Sequence, residues 1–199
     1  MARLRKQKLP ALYIFDFDDT LATTNSQVRV VHSNGSVTRL DSRAFAMYEE
    51  SPGEELDFSE FEQASGKLIL DTISAMDHAI NQSGIENVFI VTARSTTGPV
   101  REFLSSMGIK VPAVIATTGS PGKAVWLANQ LESNNYDVVF VYEDCRKNIT
   151  MLEDVVKTHN KKLGKDIIYS AVCILPDGKQ EVFENTLRTY IRNCFNLYF

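Results

Sequence analysis

Three carboxylates crowd into four positions at Asp16, Asp18 and Asp19, directly behind the apolar run Leu12-Tyr13-Ile14-Phe15. Acids this close repel one another unless a cation holds them or one of them keeps a proton. A helix N-cap at Thr20 would explain one oxygen in this region, not three acids. Other polar groups follow other apolar runs. Thr92 and Arg94 come after residues 87–91, and Glu143-Asp144 after 138–142, with Asn148 one helical turn on. Lys123 follows the small-residue loop 117–122. Oxygen donors without a histidine or cysteine cluster suit a hard cation, so Mg²⁺ is the expected cofactor. One cation, one ammonium and one hydroxyl suit a dianionic phosphate. A carboxylate can then attack phosphorus in line, while a second carboxylic acid protonates the leaving oxygen and later activates water.

Each residue also has a structural reading when taken alone. Thr92 could cap a helix, Lys123 could be a solvated helix residue, and Glu143-Asp144 could cap the helix that follows. Arg94 is either a surface loop arginine or a bidentate clamp for a second phosphate or a substrate carboxylate. Gly119-Ser120-Pro121-Gly122-Lys123 is not a nucleotide loop. It lacks the GxxxxGK[ST] spacing, and Ala124 stands where a metal-binding hydroxyl would be. His32, His78 and His159 form no cluster in the sequence and are assigned no role.

The elements that must position these groups are legible in outline. Continuous apolar runs read as strands buried on both faces. They are expected at 12–15, 87–91, 114–116, 138–142 and 167–175, with 181–183 turned back by Pro176-Asp177-Gly178. Helical spacing is expected at 64–83, 99–107, 123–131, 147–160 and 184–195. Alternating strands and helices imply an α/β fold, three-layer and Rossmann-like, with a central parallel sheet. Function in such folds lies beyond the carboxyl ends of the strands. Between the first strand and the first long helix lies a segment, 22–63, that reads as a small flap or cap. Asn34-Gly35 between two β-rich runs signals a hairpin, 43–50 a short helix, and 54–62 a loop or short helix.

The length suits a single domain over 1–199 with that insertion inside it. The formal net charge of −4 does not call for nucleic acid. Three scattered cysteines, Cys145, Cys173 and Cys194, make no metal-ligand spacing and fit a reducing cytoplasmic location. The basic start at 2–8 leads into a run ending in aspartates, unlike a signal peptide, and no apolar stretch reaches membrane length. The C-terminal stripe Leu187, Tyr190, Ile191, Cys194 and Phe195 covers its own sheet or faces a partner, and so leaves a homo-oligomer open.

Asp16-x-Asp18-x-Thr20 resembles the first motif of the haloacid dehalogenase (HAD) superfamily of phosphohydrolases. Thr92 looks like its second motif, Lys123 like its third, and Glu143-Asp144 with Asn148 like its fourth. The resemblance spans roughly 12–148. It implies that Asp16 is the nucleophile and Asp18 the general acid/base. It implies that Asp16, Asp144 and the carbonyl of Asp18 hold Mg²⁺, helped by Glu143 or Asn148, while Thr92 and Lys123 grip the phosphoryl group. An aspartate at the second position is similar to the phosphatases and phosphotransferases of that superfamily.

The activity expected is therefore a Mg²⁺-dependent phosphatase acting through an aspartyl-phosphate. The small insertion implies an open site that could admit a nucleotide, a nucleic-acid end or a small phosphomonoester. In that respect the chain is loosely similar to polynucleotide 3'-phosphatases and to phage-encoded members. Arg29, Arg39 and Arg43 around the flap favour a nucleic acid, and the acids from Glu49 to Glu62 oppose one. Two alternatives stand: a phosphotransferase on the same fold, and a non-catalytic subunit that assembles through its C-terminal helix.

Overall fold

The computed structural model describes residues 9–183. The first apolar run forms β1 (Ala11–Phe15), and all of it is buried. Its side chains alternate between two cores. Tyr13 and Phe15 enter one; Leu12 and Ile14 enter the other. A strand walled on both faces needs an apolar side chain at every position, which is why the run is unbroken.

The chain then leaves the sheet through β2 (Ala22–Thr24), β3 (Val28–Val31), β4 (Val37–Leu40), the short helix α1 (Ser42–Ala46), β5 (Glu55–Asp57), a 3-10 turn (Ser59–Glu62) and β6 (Gly66–Leu68). It returns as α2 (Leu70–Ser83), β7 (Val88–Thr92), α3 (Gly98–Ser106), β8 (Ala113–Ala116) and α4 (Ser120–Ser133). It continues through β9 (Val138–Glu143), α5 (Arg146–Leu163), β10 (Ile168–Ile174) and β11 (Gln180–Phe183). The main sheet has the order β11-β10-β9-β1-β7-β8. All its pairings are parallel except β10 with β11. Residues of α2 and α3 fill the core on one face, and residues of α4 and α5 the core on the other. The expected three-layer α/β architecture is therefore present.

Strand order explains where a site can form. From β1 the chain builds outward to β7 and β8, then crosses back to place β9 on the other side of β1. That reversal makes the carboxyl end of β1 a topological switch point, the position at which open α/β sheets bind ligands.

The insertion is more ordered than its sequence suggests. β3 and β4 form the hairpin expected around Asn34-Gly35, and Gly35 takes the left-handed φ of 80° that the turn needs. β5 adds a third strand to β3, where a loop or short helix was expected. His32 helps to bind these pieces together, with Nδ1 2.7 Å from Glu54 Oε1 and Nε2 2.7 Å from Thr38 Oγ1. α1 ends at Ala46 rather than at Glu50. Glu54 draws the Tyr48 hydroxyl and the Ser51 N–H onto one oxygen, which bends the chain before Pro52.

β2 and β6 pair antiparallel as the stem of the insertion, which therefore runs to Leu68. The helix expected from residue 64 accordingly starts at Leu70. Gly66 permits this pairing, because a Cβ there would overlap the Thr23 carbonyl. The basic start and the expected helix at 184–195 lie outside the described residues. Among the described residues, no helix is long and apolar enough to cross a membrane.

Candidate functional site

β1 and β9 run in parallel with Phe15 opposite Tyr142, so both strands end at the same level. Asp16 is the first residue past β1, and its N–H donates to the Tyr142 carbonyl. Glu143 is the last residue of β9. Asp16 and Glu143 thus leave the sheet side by side. Asp144 follows, and one oxygen from each of these three acids lies within 4.8 Å of the others.

Lys123 closes the group from the first turn of α4. Its Nζ donates to Asp16 Oδ1 at 2.7 Å and to Glu143 Oε2 at 2.8 Å. At 2% exposure it is a buried ammonium between two buried carboxylates, not a solvated helix residue. The residue before it, Gly122, lets the helix start lie against the preceding loop, since a Cβ there would overlap the Thr117 carbonyl. Burial works against the charged ammonium, but the Asp16 and Glu143 carboxylates together outweigh it and raise the Lys123 pKa. The acids are under-compensated in return. Burial and then the Glu143 charge push Asp16 up to about 7, against the pull of Lys123. Burial also raises Glu143. Burial and then the Asp16 charge push Asp144 up to about 6, against Arg43.

After β1 the backbone coils tightly. The N–H groups of Thr20, Leu21 and Ala22 all donate to the Phe17 carbonyl, and Asp19 takes a left-handed φ of 57°. Phe17 is fully buried and anchors the turn against Phe103. This coil points Asp18 away from Lys123 and toward Arg94. Arg94 Nε donates to Asp18 Oδ2 at 2.9 Å, and Nη2 to Oδ1 at 2.8 Å. Thr24 Oγ1 also donates to Asp18 Oδ1, at 2.6 Å.

The remaining Arg94 bonds reach both legs of the insertion. Nη1 donates to the carbonyls of Phe61 and Gln63, and Nη2 also donates to Ser26 Oγ. The guanidinium packs on the rings of Phe61 and Phe17. A guanidinium has five N–H groups, and here all five have protein acceptors. Arg94 was expected to clamp a phosphate or a substrate carboxylate; in the structure its donors are instead bonded within the protein. It fastens Asp18 to the insertion, and no donor remains for a ligand.

The other expected residues divide as follows. Thr92 ends β7 at the same sheet edge, and its Oγ1 accepts from the Arg94 N–H at 3.2 Å. Asn148 Nδ2 donates to Glu143 Oε1 at 3.2 Å, so Asn148 orients Glu143 from behind. Arg29 and Arg39 pair with Asp57 and Glu60 within the insertion, which weakens the basic track expected there. Sequence reasoning treated Arg43 only as part of that track. It crosses from α1 to the core, with Nε 3.2 Å from Asp144 Oδ2 and Nη2 3.3 Å from the Ile174 carbonyl. Nothing local in the sequence signals a contact between residues this far apart.

The donor set fits a divalent cation. Asp16, Asp18, Asp19, Glu143 and Asp144 supply five carboxylates, against the three cations Lys123, Arg43 and Arg94, leaving a formal charge of −2. Asp16 Oδ1 accepts from Lys123 and Asp144 Oδ2 from Arg43, while among the described residues Asp16 Oδ2 and Asp144 Oδ1 accept from no donor. Those two oxygens are therefore open to a cation, on acids whose ligand atoms the fold already brings within 4.8 Å of one another. No protein-family model matches this chain, and neither a curated protein nor a solved structure does.

Proposed function

We propose that the chain is a Mg²⁺-dependent phosphomonoesterase that works through an aspartyl-phosphate on Asp16, in the manner of the HAD superfamily. The observation that carries this reading is the convergence of Asp16, Glu143 and Asp144 on one point, with Lys123 between two of them. Asp16 and Asp144 would hold the ion through their free oxygens, with Glu143 beside them. The bound ion would neutralise phosphoryl oxygens and screen the attacking carboxylate from the phosphate.

The chain's own residues supply the rest. Lys123 favours the ionised form of Asp16, holds it in place, and can offer its remaining N–H to a phosphoryl oxygen. Thr92, at the neighbouring strand end, offers a hydroxyl. An oxygen of Asp16 attacks phosphorus, the P–O bond to the leaving alcohol breaks, and Asp18 gives that oxygen a proton. Asp18 then takes a proton from the water that hydrolyses the acyl phosphate, releasing inorganic phosphate and restoring Asp16. Both Asp18 oxygens are engaged by Arg94 and Thr24, so reaching the leaving oxygen or the water requires it to turn from those partners. The carboxylate pattern favours hydrolysis of phosphomonoesters as a class, without naming the alcohol.

The test is phosphate release from an aryl phosphate, with and without Mg²⁺, by the wild type and Asp16→Asn. Release that needs Mg²⁺ and vanishes in the variant is the expected result. Undiminished release by folded Asp16→Asn would overturn the nucleophile.

A further inference from the structure

We propose that Arg43 is an exchangeable counter-ion of the site: it holds Asp144 while no divalent ion is bound, and turns to an oxygen of the phosphorylated substrate once the ion takes Asp144. This rests on the reading of the site as a cation and phosphate centre.

Two arginines tie the insertion to the catalytic carboxylates, and they are built differently. Arg94 grips Asp18 through a fork of two bonds, its side chain is 1% exposed, and every donor is used. Arg43 touches Asp144 through Nε alone, at 3.2 Å, and its side chain is 29% exposed. Its second bond, to the Ile174 carbonyl, is 3.3 Å long. Among the described residues, Nη1 has no acceptor. The helix that carries it, α1, has no buried residue, and Phe45 on that helix packs on Phe58 of the insertion itself. Arg43 is thus a partly hydrated, weakly held charge on an element that the core does not anchor.

Electrostatics then sets the exchange. A divalent ion at Asp16 and Asp144 neutralises the carboxylate that attracts Arg43 and repels the guanidinium. A phosphoryl group at the same point restores negative charge within reach of that guanidinium. Its planar fork matches phosphate geometry better than an ammonium would. Arg94 is less suited to this part, because all five of its donors are bonded to protein acceptors and its side chain is 1% exposed. The insertion would therefore sense phosphate through Arg43, and closure of α1 over the site would follow the ligand.

The experiment is calorimetric titration of Mg²⁺, then of inorganic phosphate in saturating Mg²⁺, into the wild type, Arg43→Ala and Arg43→Gln. Removing a positive charge a few ångströms from the ion should tighten Mg²⁺ binding roughly three- to tenfold in both variants. Losing a charge-assisted phosphate contact should weaken phosphate binding roughly tenfold or more. Opposite signs show that the charge acts on both ligands. The exchange further requires that phosphate binding without Mg²⁺, when Asp144 still holds Arg43, be alike in the wild type and the variants. A weakening of equal size with and without Mg²⁺ would mean a stationary charge. Equal or same-sign shifts in the variant that folds, checked by thermal unfolding, would overturn the proposal.

Asp144→Asn separates this from the reading beneath it. If the wild type binds Mg²⁺, Asp144→Asn loses it and the Arg43 variants are unchanged, only the exchange falls. If the wild type binds no Mg²⁺, the cation centre falls, and the exchange with it.

Discussion

Lys123 shows why the site holds together at the scale of single residues. An ammonium taken out of water is costly, and so are Asp16 and Glu143; the three are tolerable only as a set. Lys123→Met keeps the length of the side chain and removes the charge, so two buried carboxylates would face each other unpaired. We expect a stability loss of about 3–5 kcal/mol in denaturant melts at neutral pH, typical of breaking a buried pair from one side. The loss should shrink in acid, where the carboxylates take up protons. A loss that does not change with pH would mean that Lys123 contributes packing and not charge. Arg94→Lys tests the second cluster. A lysine cannot reproduce the fork on Asp18 together with the bonds to Phe61, Gln63 and Ser26. It should lower stability by about 2–4 kcal/mol, the range for leaving a buried charge and its acceptors underpaired. It should also slow turnover, and unchanged stability and turnover would remove Arg94 from both tasks. The acids and Lys123 were legible in the sequence because each directly follows a strand or opens a helix. The task of Arg94 was not, because its position beside Thr92 is the same whether it points to solvent or back to Asp18, a residue 76 positions away.

At the scale of elements, strand ends aim the acids and a helix start aims the lysine. The α4 start depends on Gly122, which lets the helix approach Thr117 closely. Gly122→Ala forces that contact apart. We expect a loss of about 1–3 kcal/mol, the usual cost of overpacking, and, on the proposed phosphatase reading, a larger relative loss of turnover, since Lys123 is the next residue. Wild-type turnover in a variant with a lowered melting temperature would show that the helix start tolerates displacement. The buried strands were readable because burial on both faces forces unbroken apolar runs, as in β1 and β9. The insertion was less so. β2, β5 and β6 have three residues each, too few for a period to show, and their pairing is set by partners distant in sequence. Leu68 and Ile69 continue the helical spacing of α2, yet pairing with Ala22 keeps Leu68 extended and Ile69 becomes the helix cap. Only the Asn34-Gly35 hairpin carries its own local signal, and it lies where that signal puts it.

The whole molecule combines these parts into a linkage between protons, cations and stability. Asp16 and Asp144 have ordinary pKa values near 3.8 when unfolded, and the fold raises them to about 7 and about 6. Burial is the main cause in both, with neighbouring negative charge adding to it. The folded state therefore holds protons that the unfolded state has released. The contribution of these two groups to stability is full below about pH 4, declines as pH rises through 6 and 7, and is gone above that. Metal-free protein should lose stability across this window through these groups, opposite in sign to a carboxylate whose pKa folding depresses. A cation that binds the same oxygens must displace those protons, so Mg²⁺ should stabilise the fold little at pH 5 and substantially at pH 8. Binding near pH 6 should release protons, visible as a buffer-dependent enthalpy. The measurement is a set of denaturant melts from pH 4 to pH 8, with and without Mg²⁺, on the wild type and Asp16→Asn. In the variant the difference from wild type isolates Asp16: the decline with pH should flatten and the gain from Mg²⁺ should fall. If the wild type is as stable at pH 8 as at pH 5 without metal and Mg²⁺ adds the same at both, the carboxylates are not the under-compensated group that their geometry describes.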